Sequence, residues 1–85
     1  MKSDKLINSG LLYRTIGDHP RSLDCYLRAE KILEHSDDKS DLIPLLNNIS
    51  VLYSDMDDKG KTIFYMQKSL ALARKLNMKK KLHTS

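Results

Sequence analysis

The stretch Asn8-Ser9-Gly10-Leu11-Leu12-Tyr13-Arg14-Thr15-Ile16-Gly17-Asp18 returns forty residues further along the chain as Asn48-Ile49-Ser50-Val51-Leu52-Tyr53-Ser54-Asp55-Met56-Asp57-Asp58. In both stretches, large and small side chains alternate at the spacing of one face of an α-helix, and a polar break follows. Identical residues extend the register on both sides, namely Leu6/Leu46, Lys39/Lys79 and Leu42/Leu82. The sequence therefore predicts a tandem duplication of one helical unit.

Each copy of the unit divides into two predicted helices, separated by the polar break. In the first copy, Asp18 is a candidate N-cap and Pro20 fits the first turn of the next helix. In the second copy, Asp57 takes the position of the glycine, and Ser40 or Asp41 is expected to cap the preceding helix. We expect helices over residues 3–16, 19–35, 40–56 and 59–77.

Length and composition limit the classes of protein to consider. The 85 residues carry a net charge of +4, with 3 glycines, 2 prolines and 1 cysteine. These values are typical of one small globular unit rather than a linker or a collagen-like chain. One cysteine cannot form an internal disulfide, and no apolar run approaches the length of a membrane span. With no signal peptide visible, we expect a cytoplasmic protein.

The motifs that would indicate catalysis or metal binding are incomplete. Gly60-Lys61-Thr62 ends like a phosphate-binding loop, but Asp55 stands where that loop requires its first glycine. The histidines and Cys25 do not have the spacing of metal ligands. We therefore expect no enzymatic activity, no cofactor and no metal.

The repeated residues resemble the tetratricopeptide repeat, whose pattern runs N-L-G-x-x-Y, then G-D, then small and aromatic residues in the second helix. The period is that of the long, forty-residue variant found in bacterial regulators. The resemblance implies a right-handed α-α superhelix of tandem helix-turn-helix units, with repeats at 3–38 and 39–78. Residues 79–85 would be the start of a further helix or a C-terminal tail. The departures from the family pattern are Ser9, Asp57, Thr62 and Ser69.

The resemblance also implies a function: a non-catalytic module that binds a peptide or protein segment within a larger bacterial regulatory protein. In the family, the first helices of successive repeats line a concave groove. Amide side chains there can pair with the backbone of an extended peptide, although the asparagines of this family can also serve structure alone. Helical spacing assigns the following residues to the groove: Ile7, Asn8, Leu11, Arg14, Asn47, Asn48, Val51 and Asp55.

Two alternative functions remain open from the sequence. Two repeats bury little apolar surface, and the last helix carries Leu70, Leu72 and Leu76, which predict self-association if they are exposed. The second alternative is a nucleic-acid adaptor that uses Lys75 and the run Lys79-Lys80-Lys81. That run is short and lacks interleaved aromatic residues, so a solvated helix end is the preferred interpretation.

Overall fold

The computed structural model describes residues 2–37 and 39–84, with side chains over 4–37 and 39–77. In these residues the chain forms four α-helices and no strand, which confirms the all-α class. The helices are α1 (Lys2–Thr15), α2 (His19–Glu34), α3 (Leu42–Asp55) and α4 (Lys59–Thr84).

The helices pack in chain order. α1 lies against α2 and α3 lies against α4, so each predicted unit is a helical hairpin, and α2 packs on α3 to join the two hairpins. The third helix supplies most of the core, because it contacts helices on both sides. The buried apolar side chains are Tyr26, Ala29, Leu33, Leu42, Leu45, Leu46, Ile49, Leu52 and Tyr53.

The two hairpin turns have the same backbone geometry. The amide of Asp18 donates to the carbonyl of Tyr13 at 2.8 Å, and the amide of Asp58 donates to the carbonyl of Tyr53 at 2.9 Å. Each aspartate then caps the following helix: Asp18 Oδ1 accepts from the Arg21 amide at 3.3 Å, and Asp58 Oδ1 accepts from the Lys61 amide at 3.2 Å. The capping role expected for Asp18 is confirmed, and its counterpart behaves alike.

The backbone conformation of the turn also explains which residue type precedes each cap. Gly17 has a φ of 86°, and Asp57 has a φ of 62°, so both lie in the left-handed region. Glycine adopts this conformation at little cost, whereas aspartate is one of the few other residues that tolerate it. The substitution of glycine by Asp57 therefore preserves the turn and leaves some backbone strain in it. At the start of α3, by contrast, Asp41 occupies the N-cap position without a side-chain cap hydrogen bond.

The end of α4 differs from the sequence prediction. We expected the fourth helix to end near residue 77 and a further element to start at 79, but α4 runs without interruption to Thr84. Residues 77–81 contain neither glycine nor proline, and methionine and lysine are good helix formers, so nothing local ends the helix. The repeat of Lys39 at Lys79 is thus a repeat of sequence that the backbone does not follow.

The described part of the chain has no helix long and apolar enough to span a membrane.

Candidate interaction surfaces

The α1 half of the predicted groove contains both exposed and partly buried side chains. Asn8 is exposed and Leu11 is 48% exposed, as a ligand-binding surface requires. Ile7 is half-buried and packs against the core, and Arg14 is also half-buried. Asn8 and Leu11 are therefore the residues of α1 that are available to a ligand.

The α3 half contains an equivalent pair. Val51 is 40% exposed, and Asn48 is half-buried beside it on the helix. These residues occupy the positions of Leu11 and Asn8 in the repeat, so each first helix presents one apolar and one amide side chain. Asn47 lies elsewhere, because it lines a different groove between α3 and α4.

One ion pair joins the two halves of the predicted groove. Arg14 Nε donates to Asp55 Oδ2 at 3.3 Å, which brings the C-terminal ends of α1 and α3 together. Both side chains are partly exposed, so the pair contributes at most about 1 kcal/mol to stability. Helical spacing predicted both residues at the surface but gave no indication that they would contact each other across forty-one positions.

A mostly apolar depression lies between α3 and α4, and we call it the open groove. It has a volume of about 540 Å³, and its lining is almost entirely apolar. Leu70, which we predicted to mediate self-association, lies in it and is 54% exposed. The residues that line the open groove are Ile43, Asn47, Ile63, Met66, Gln67, Ser69, Leu70 and Ala73.

The other two leucines of the predicted self-association set do not share this surface. Leu72 is half-buried and packs against the core, where it lines a smaller cavity of about 290 Å³ with Leu42 and Leu46. Leu76 is also half-buried. Residues 70 and 72 point to different sides of a helix, so α4 separates Leu70 from Leu72 and Leu76.

A cluster of charged residues links α2 to α4. The side chain of Glu30 is 9% exposed, and Lys68 Nζ donates to it at 2.6 Å and to Glu34 at 3.3 Å. Burial alone would lower the pKa of Lys68, but the hydrogen bonds and charges of Glu30 and Glu34 outweigh it and raise that pKa. Because these residues are far apart in sequence, periodicity could not pair them.

Two tyrosines, Tyr26 of α2 and Tyr65 of α4, are buried or half-buried between the helices. Tyr26 is fully buried, and its hydroxyl has no hydrogen-bond partner among the described residues. Burial raises its pKa, and the nearby charge of Arg14 acts in the opposite direction. Tyr65 stacks on Tyr53 with ring centroids 5.5 Å apart, and burial followed by the charge of Glu30 raises its pKa.

The remaining candidates contribute little to a site. Lys75 is exposed, whereas the side chains of Lys79, Lys80 and Lys81 lie outside the described residues. Over the described side chains, no three histidine, cysteine, aspartate or glutamate residues are grouped so that they could hold a metal ion.

In comparisons with known proteins, no family model, curated protein or solved structure matches the chain.

Proposed function

We propose that this chain is a non-catalytic interaction module of tetratricopeptide-like repeats that binds a peptide or protein segment. Its site is the surface formed by α1 and α3, with Asn8, Leu11, Asn48 and Val51 as the contact residues. On this proposal, the two hairpins are stacked repeats, and the module serves a larger bacterial regulatory protein in the cytoplasm.

The observation that carries the proposal is the Arg14–Asp55 contact. Arg14 near the end of α1 reaches Asp55 at the end of α3 at 3.3 Å, which supports a surface that the two helices share. Leu11 and Val51 are both exposed on these helices and offer apolar contact. Each is accompanied by an amide that can donate to and accept from an extended peptide backbone. The shared turn geometry supports two copies of one unit, and the packing of α2 on α3 supports their stacking.

The experiment is selection from a displayed library of random peptides, followed by measurement of the affinity of the selected peptides. The double variant Leu11→Asp with Val51→Asp should abolish binding, and Asn8→Ala with Asn48→Ala should weaken it about tenfold or more. The matched control is Asp24→Ala with Arg28→Ala, an exposed ion pair on α2. If selection yields no peptide, or if the control and the aspartate variant bind equally, the proposal is wrong.

A further inference from the structure

The open groove corresponds to a surface of the first hairpin that is covered by another helix. Its α4 residues, which we call the α4 face, lie forty positions after residues of α2. On α2, Tyr26, Glu30 and Leu33 are buried. On α4, Met66 and Leu70 at the matching positions are 56% and 54% exposed. The α4 face comprises Ile63, Met66, Gln67, Leu70 and Ala73, and its α2 counterparts are Leu23, Tyr26, Leu27, Glu30 and Leu33.

The covering element in the first hairpin is α3, which packs on α2. A comparison with α1 shows which residues of α3 do the covering. Leu52 is fully buried, whereas Leu12 at the equivalent position of α1 is 62% exposed. Each of four residues along one helical line, at spacings of i, i+4, i+7 and i+11, is more buried than its α1 counterpart. We call this line the α3 stripe; it consists of Leu45, Ile49, Leu52 and Met56, and its α1 counterparts are Lys5, Ser9, Leu12 and Ile16.

The shape and chemistry of the open groove therefore have a template within the chain. Three of the α3 stripe residues are fully buried in the core that α2 shares. A surface related to that of α2 by the repeat should accept the same kind of ligand. That ligand is an amphipathic helix with apolar residues at i, i+4, i+7 and i+11.

The charges beside the open groove differ from those of the template and indicate which helix fits. Glu34 of α2 pairs with Lys68 of the covering hairpin. At the position equivalent to Glu34, α4 carries Arg74, which is exposed and follows Leu70 by one helical turn. An acidic partner would restore the pairing. A second copy of this chain would instead bring Arg28, the counterpart of Lys68, toward Arg74, which has the same charge. It would also put Lys5 at the position that Leu45 occupies in the template.

We infer that the open groove binds an acidic amphipathic helix of a separate partner protein. The apolar residues of this helix would lie on Ile63, Met66 and Leu70, and its carboxylates would face Arg74. This site is distinct from the α1–α3 surface and goes beyond the proposed function, because it binds a folded helix rather than an extended segment.

The inference can be tested with a synthetic probe designed from the chain itself. The acidic probe is a labelled peptide of residues 39–57 that retains the α3 stripe. In it, Leu42, Leu46 and Tyr53, which lie against α4 in the chain, are replaced by glutamate. A second probe carries lysine at these three positions. Binding to the full chain is measured by fluorescence anisotropy, and chain association is measured in parallel by light scattering.

The expected result is that the acidic probe binds about tenfold or more tightly than the basic one. Leu70→Gln, an exposed substitution that should leave folding intact, should weaken binding of the acidic probe about tenfold. Arg74→Glu should reverse the preference between the two probes. The matched control is Arg28→Glu, which makes the same charge change on the exposed side of α2 and should preserve the preference.

Three results would overturn the inference. The first is equal binding of both probes or no binding of either. The second is binding of the acidic probe that Leu70→Gln does not affect while circular dichroism shows an unchanged fold. The third is association of the chain with itself that Leu70→Gln abolishes, since a second copy would then occupy the open groove.

Discussion

The close approach of α1 to α2 at Gly10 predicts the effect of adding a single methyl group there. A Cβ added to Gly10 would lie 2.7 Å from two ring carbons of Tyr26 and 3.2 Å from a third. The ring is fully buried and rigid, so it cannot move aside without disturbing the core. Gly10→Ala must therefore separate α1 from α2 or displace Tyr26.

The size of the effect follows from two opposing contributions. Overpacking a filled core costs about 1–3 kcal/mol, and a contact this short with an aromatic ring belongs at the upper end. Replacing glycine by alanine inside a helix stabilises the helix by about 1 kcal/mol. We expect Gly10→Ala to lower the free energy of unfolding by about 2 kcal/mol, which for a chain of this length corresponds to roughly 8–16 °C in Tm.

The assay is urea unfolding followed by circular dichroism at 222 nm, with Gly60→Ala as the matched control. A Cβ on Gly60 would meet only a carboxylate oxygen of Asp58 at 3.8 Å, an ordinary contact. Gly60→Ala should therefore raise the free energy of unfolding by about 0.5 kcal/mol. Stabilisation of the chain by both substitutions would show that α1 and α2 do not approach each other as closely as the structure has them.

The remaining predictions concern the turns and the buried polar groups, all measured by urea unfolding. Gly17→Ala should destabilise the chain by about 1 kcal/mol and Asp57→Gly should stabilise it by a similar amount, because both positions have positive φ; effects of the same sign would contradict this. Lys68→Met should cost about 3 kcal/mol, because it leaves the Glu30 carboxylate buried without its ammonium partner, and Glu30→Gln in the same chain should recover part of the loss. Tyr26→Phe should stabilise the chain by about 1 kcal/mol, because it removes a buried hydroxyl without a hydrogen-bond partner. Since burial raises the pKa of Tyr26 in the folded state, stability should be complete below the ordinary tyrosine pKa of about 10 and fall as the pH rises through the folded value, and Tyr26→Phe should reduce that loss.

Local signals in the sequence were sufficient to locate the helices and their turns. The Gly17-Asp18 break and its counterpart at Asp57-Asp58 locate the turn of each hairpin within about two residues, because capping and positive φ depend on neighbouring residues. The end of α4 was predicted wrongly, since the repeat suggested a boundary that no glycine or proline enforces.

The contacts between helices were beyond the reach of periodicity. Asn47 and Asn48 are adjacent in sequence, and only the position of α4 shows that Asn47 lines the open groove. Leu70 and Leu72 were grouped by hydrophobicity, although one lines a groove and the other packs against the core. The ion pairs of Arg14 and Lys68 depend on how the hairpins meet, which is a tertiary property.

The two hairpins share their turn geometry but differ in what covers them. Paramagnetic relaxation of side-chain methyl groups by a soluble gadolinium chelate tests this claim directly. We expect strong relaxation for Leu12, Met66 and Leu70 and weak relaxation for Leu52 and Leu33, at concentrations where the chain is monomeric. Equal relaxation of Leu12 and Leu52 would contradict it, because α3 would then not be the helix that packs between its neighbours.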